Sequence, residues 1–452
     1  MAINVIAKLF GFILIGCNNE NNLLTNHYTM QKFFLKLLFL SGIFFSCSSE
    51  EEILDTSKTE DLITENVKRI PIVLTNEETA INEQIHNFSF HFISEYAKLN
   101  KKENYCVSPL STSFLMGLLL NGAENSTYSQ IQKTLGGENI EATSINAYFK
   151  KLREGLKETD KNSLFTEANS LWVKRGVSLL TDYVKTSENY YGASLKENQL
   201  FNTETVDAIN NWGKEQTNGK ITKFIDNTSE IANLNALFLN TIYFKGGWIS
   251  SFLKESTQNK AFILGNGQSV QVSTMYQEMP ALGGKNEEIT IVPLGLGNGS
   301  FYIYFFLPTN SQIKVDDLLS SLTKEKWAQW KKTIQICKLQ ISLPRFDVEN
   351  ESSLKNILET MGIVDAFTSA ACFTKISNQP FSLGLIKQKT NFTINEEGVE
   401  GASITGTGLL TDGSAGLPTL QVDFNRPFGF ILSEVSTGTI LFAGKIGNPN
   451  VN

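Results

Sequence analysis

A chain of 452 residues with 41% apolar and 19% charged side chains can bury a sizeable core, and its 31 Phe argue for aromatic packing and against disorder. A formal charge of −7 excludes nucleic acid as a main partner, because a phosphate backbone is held by excess cationic charge. Length alone allows two or three domains or one large mixed fold.

The first stretch reads as an export signal. Lys32 and Lys36 precede and enter an apolar run, 33–45, that closes on Ser46-Cys47 and then turns acidic. The run is shorter than the roughly 20 residues that a spanning helix needs. Cys47, directly after a small residue, resembles the lipidated Cys of a bacterial lipobox. That resemblance implies an exported chain, lipid-anchored at the bacterial cell envelope on the outer-membrane surface, touching membrane through the anchor alone. A second such pattern ends at Gly16-Cys17, so the start is Met1 or Met30; Met30 with Cys47 is the favoured pair, and 1–46 the signal region. Its removal takes away Lys8, Lys32, Lys36 and Glu20, leaving about −9. Residues 47–79, acidic and polar, read as a tether to a folded domain at 80–449.

Apolar residues at 81, 85, 88, 92 and 96 predict a helix behind Thr79 as cap. His86 and His91 lie in it, five apart, too far for an i, i+4 metal pair. With His27 they are the chain's three histidines, and no Gly-x-Ser-x-Gly elbow or His-Glu-x-x-His pair is present, so no enzyme, metal or cofactor is expected. Cys106, Cys337 and Cys372, an odd number without CxxC spacing, read as free thiols. The apolar runs 163–173 and 234–244 predict central strands buried on both faces, and 209–221 a helix ending at Gly219. Gly295, Gly297 and Gly299 imitate half a dinucleotide loop, but the strand-like run 301–307 follows where a helix is needed. Further strands are expected at 334–343 and on either side of Thr437-Gly438, and a helix at 352–361. Helices early and strands late describe an α+β domain of mainly antiparallel sheets.

The segment 395–416 is different. Uncharged Val399, Gly401, Ser403, Thr405 and Thr407 alternate as on a strand with one buried face, while glycines at 398, 401, 406 and 408 make a poor permanent strand. The pattern predicts a segment that is exposed and can become a strand later, or a plain Gly/Ser loop.

Motifs in order along the chain resemble the serpin family: Asn104 with Ser108-Pro109-Leu110-Ser111, Asn121-Gly122-Ala123, Ile209 to Trp212 with Thr217 to Ile221, Asn240 to Trp248, Leu343 to Phe346, Met361 to Ile363, Glu396-Glu397-Gly398, Phe424 to Phe428 and Leu441 to Lys445. The resemblance covers roughly 80–449. It implies three mainly antiparallel β-sheets, about nine helices and an exposed reactive-centre loop at about 396–423. It also implies a suicide-type endopeptidase inhibitor whose cut loop inserts into the main sheet and traps the protease as an acyl-enzyme, working as a monomer. Glu396, Glu397, Gly398, Val399, Glu400, Gly401 and Ala402 match the hinge; Gly401 replaces the family's usual Ala, and Ile404 is bulkier than usual. Ser108, Ser111 and Asn240 match the polar cluster where strands part, Trp248 the aromatic above it. Gln388 stands where the family has His, which implies an opening less sensitive to pH.

The family's spacing from the hinge implies a cut near Leu410, Thr411, Asp412 or Gly413, while counting back from Pro427 gives a site nearer Gly416. No Lys or Arg lies between Lys389 and Arg426, so trypsin-like targets are excluded; the partner expected is an elastase-, chymotrypsin- or subtilisin-like serine protease, or a papain-like cysteine protease. The alternative is a non-inhibitory serpin-fold binding protein or a plain protease substrate.

Overall fold

A computed structural model describes residues 69–137, 140–380, 382–400 and 416–451. The signal region, Cys47, most of the tether, Gly401, Ala402 and the reactive-site candidates Leu410, Thr411, Asp412 and Gly413 lie outside them.

Helix α1 (Asn76–Leu99) buries the expected face of Ile81, Ile85, Phe88, Phe92 and Tyr96. Its cap is Thr75, in a reciprocal box with Glu78 that satisfies two free N–H groups of the first turn. The expected cap, Thr79, lies inside the helix and donates to Thr75 O. Helix α2 (Pro109–Gly122) carries no charge, starts with Pro109 behind Ser108 as cap, and is buried almost throughout, as befits a core helix. Seven more α-helices complete the described residues: α3 (Asn125–Thr134), α4 (Ala142–Glu158), α5 (Thr181–Tyr191), α6 (Thr203–Gln216), α7 (Val315–Ser320), α8 (Lys324–Lys331) and α9 (Lys355–Thr360). Helix α9 is shorter than the expected 352–361, because Ser352 and Ser353 extend strand β10 (Phe346–Ser353) against Gln388 and Lys387.

One sheet has the order β10, β11 (Ile386–Asn395), β12 (Gly398–Val399), β4 (Ala236–Gly247), β2 (Leu164–Lys174), β3 (Ser194–Gln199). A second runs β1 (Tyr105–Val107), β15 (Ile440–Ile446), β14 (Phe428–Glu434), β8 (Phe301–Pro308), β7 (Ile289–Leu296). The third is built on β6 (Ser269–Lys285), which pairs with β5 (Gln258–Ile263) and then with β9 (Gln335–Pro344), whose other edge carries β13 (Thr419–Asp423). It joins the second through two residue pairs, Gly284↔Ile291 and Lys285↔Thr290. Among the described residues only β2–β3, β4–β11 and β9–β13 are parallel. The expected three mainly antiparallel sheets are therefore present, with Gly297 and Gly299 in the tight turn of the β7–β8 hairpin.

Phenylalanines weld the sheets. Phe392 of the first sheet stacks on Phe430 of the second at 4.8 Å between centroids and meets Phe442 at 5.3 Å. The central strands β2 and β4 of the first sheet are buried on both faces, as their apolar runs predicted: Phe165, Leu171 and Val173 of β2 face the main core, while Ala168 and Trp172 face Val206, Ile209 and Trp212 of α6. Among the described residues no helix is long and apolar enough to cross a membrane, and no cluster of three His, Cys, Asp or Glu could hold a metal. Cys106, Cys337 and Cys372 are free, the first two buried.

Candidate functional site

Strands β11 and β4 pair directly at only four positions, Ile386↔Phe238 to Lys389↔Thr241. Beyond them β11 continues to Asn395, turns at Glu396-Glu397 and returns as β12, antiparallel to both neighbours: Ile394↔Val399 and Asn395↔Gly398 on one side, Gly398↔Gly247 and Val399↔Gly246 on the other. The segment expected to be exposed is therefore already in the sheet at its first residues. The reason is local. Gly398 has φ +139°, and a Cβ there would lie 2.3 Å from Gly246 O, so glycine alone can cross at this point. Val399 then turns inward and is fully buried, as its uncharged side chain permits.

Each carboxylate of residues 396–400 has its own partner. Thr257 Oγ1 donates to Glu396 at 2.7 Å, with Arg345 at 3.6 Å. Lys254 lies 2.6 Å from Glu397 and holds its carboxyl below the usual range. Glu400 has φ +61° and a buried carboxylate; burial raises its pKa even though Lys220 stands 3.0 Å away. Lys220 reaches it because α6 ends at Thr217 and the chain turns through Gly219, at φ +83°. Trp248, buried beneath the turn, donates its indole N–H to Asn395 O at 2.8 Å and its backbone N–H to Glu397 O at 3.0 Å.

Under the last direct β11–β4 pairs, Gln388 meets the start of α2. Its Oε1 accepts from Ser108 N at 3.0 Å, and its Nε2 donates to Ser108 O at 3.0 Å, Thr112 Oγ1 at 3.1 Å and Ser111 Oγ at 3.3 Å. Three of the residues singled out in the sequence, Ser108, Ser111 and Gln388, thus come together. Asn240 does not bond to them, although it is Gln388's register partner. Its Nδ2 donates instead to Asn169 Oδ1 at 2.8 Å and Glu167 Oε1 at 3.3 Å. Trp248 stands apart, at the turn of Glu396-Glu397.

On the opposite face the slot is bridged by charge. Lys387 pairs with Glu230 and Glu351 at 2.7 Å each and donates to Phe224 O at 3.2 Å; Lys389 pairs with Glu351 at 2.6 Å and donates to Lys223 O at 2.5 Å. These contacts tie β11 to the connector that leads from α6 into β4. Sequence reasoning did not single out Lys220, Thr112, Lys387 or Glu167. For Glu167 a signal existed: it is an acid at the inward position of an alternating run, Phe165, Glu167, Asn169, Leu171.

The family model described as Serpin (serine protease inhibitor) matches residues 83–449. Neuroserpin of Gallus gallus is 27% identical over 380 residues, covering 81% of this chain and 92% of that one. A serpin-like protein of Methanosarcina mazei is 25% identical over 429 residues, covering 92% and 98%. Among solved structures, the thermophilic serpin tengpin in its native state superposes with a TM-score of 0.74 at 26% identity, covering 85% of this chain and 98% of that one.

Proposed function

From the premise that this chain belongs to the serpin family, a superfamily of protease inhibitors, we propose that it is a suicide inhibitor of endopeptidases that works by loop insertion between β11 and β4. The observation that carries this reading is β12: the hinge already occupies the top of that slot in correct alternation, with Val399 inward. Cleavage of the loop frees it to follow. At one residue per step, the register of β12 with both neighbours sets Thr405 between Gln388 and Asn240 and turns Gly401, Ser403, Thr405 and Thr407 to the core side with Val399. Each added rung gains ladder hydrogen bonds and buried area, which drives a bound protease along before its acyl ester hydrolyses.

The absence of Lys and Arg between Lys389 and Arg426 supports targets of the elastase, chymotrypsin, subtilisin or papain type, cut within 410–416. The signal-like run ending at Cys47 supports a lipid-anchored site of action at the cell envelope. Incubation with a protease panel should give a covalent complex that survives denaturant, and mass spectrometry of the released fragment fixes the cut bond. Loop cleavage without complex, for every protease, overturns inhibition. A binding role without insertion is favoured by one observation, the anchoring of Glu400 by Lys220 just where the loop must move. Heating separates the two: an inserting chain gains a large rise in melting temperature after cleavage, a non-inserting one little.

A further inference from the structure

We propose that Glu167 is a positioning residue that makes the parting of β4 from β11 depend on pH, holding the sheet shut when protonated and easing it open when ionised. The inference rests on the insertion reading above and assigns its control point.

Glu167 lies on the core face of β2, beside β4. Its Oε1 accepts from Asn169 Nδ2 and Asn240 Nδ2. Its Oε2 is buried and meets no donor among the described residues, and the same holds for Asn240 Oδ1. Two acceptors in touching residues thus lack a donor, and buried polar atoms of native proteins seldom do. A carboxylic acid proton supplies one; a carboxylate only adds charge to the deficit. Asn240 in turn sits opposite Gln388 in the four direct pairs, next to the uppermost, Thr241↔Lys389. Any strand growing down from Val399 separates those two pairs first. The carboxyl is therefore bonded to a residue at the front of the opening.

Burial pushes the Glu167 carboxyl up to about 7, although the cations Arg153 and Lys157 of α4 oppose this. Of the other elements around it, α5 contributes the Tyr191 hydroxyl, α2 carries no charge, the one charge of β4 is Lys245 near its end, and Lys196 and Glu197 of β3 are exposed. Lys387 and Lys389 of β11 point to the opposite face. No nearby group therefore takes over the titration. When β4 leaves β11, water reaches Asn240 and the acid beside it, and hydration stabilises the charged form. Ionisation consequently favours the parted sheet. Gln388 does not titrate, which leaves Glu167 as the proton-binding group on the core face of the four direct pairs.

The test uses a synthetic peptide spanning residues 401–410, which continues from the seated Val399 and carries no titratable side chain, added in excess to the intact chain, with insertion followed by tryptophan fluorescence and by the gain in melting temperature between pH 5.5 and 8.5. Because no protease is present, its pH profile does not intrude. The expected rate rises through a midpoint near pH 7 by about tenfold, the equivalent of one pKa unit relieved in the open sheet. Glu167→Gln, isosteric with the neutral acid, should be slow and flat, as should Glu167→Leu if the amide disturbs folding; Glu167→Asp should restore the slope. A flat wild-type profile, or a Glu167→Gln profile like that of wild type, overturns the assignment while leaving insertion intact. Failure of the peptide to insert at any pH overturns the insertion reading, and this one with it.

Discussion

Gly398 and Val399 show how little latitude the crossing of β12 allows. Gly398→Ala meets Gly246 O at 2.3 Å and a backbone conformation unfavourable to L residues, by about 1–3 kcal/mol, so β12 should leave the sheet. Trp248, bonded to Asn395 O, reports the loss as a change in indole fluorescence. Val399→Glu should leave loop cleavage intact and reduce covalent complex by tenfold or more on a denaturing gel, because an unpaired charge on the core side costs several kcal/mol. That Val399 faces inward was legible from alternation alone. The need for glycine at 398 was not, because the atom that forbids a side chain belongs to Gly246, far away in sequence. Glu167 was half legible: its inward parity could be read, but its bond to Asn240 depends on strand register.

Among the elements, β12 and the connector after α6 act as one latch through Glu400 and Lys220. Lys220→Ala leaves a buried carboxylate whose Oε1 already lacks a partner, and should lower stability by about 1–2 kcal/mol, between the value of a surface pair and that of a buried one. Glu400→Gln in the same chain should recover most of it, and thermal denaturation of the two single variants and the double variant measures the coupling. Elements with strong local signals were legible: the apolar stripe of α1, the two-sided strands β2 and β4, the turn at Gly438. Those fixed by a distant partner were not. Ser352 and Ser353 read as helix and form strand because β11 pairs with them, and Asn395 to Val399 read as exposed because no local pattern records the gap waiting between β11 and β4.

For the whole molecule, two buried groups oppose each other in pH. Burial lowers His86 from 6.5 to about 4, so on acidification through that window the unfolded chain takes up a proton the folded chain refuses, and stability falls as pH falls. Glu167, raised from 4.5 to about 7, keeps its proton when the unfolded chain has lost it, and stability falls as pH rises. Between pH 4.5 and 6.5 the two slopes have opposite signs and similar size, so their sum should be nearly flat. Glu167→Gln should unmask the histidine: stability then falls by about 3 kcal/mol from pH 7 to 4, read from urea unfolding across pH. At this scale the serpin fold was legible, because its motifs are local and keep their order. The balance of buried charges was not, since burial belongs to the assembled core.

The crossing of Gly398 over Gly246 and Gly247 also separates two design tasks. The contacts of Trp248 and Lys220 that seat the strand lie at or before Glu400, whereas the proposed reactive site, from Leu410 on, lies beyond it. A library that rewrites only 409–416 therefore leaves the doorway untouched, and should yield inhibitors of altered target preference built on one unaltered scaffold.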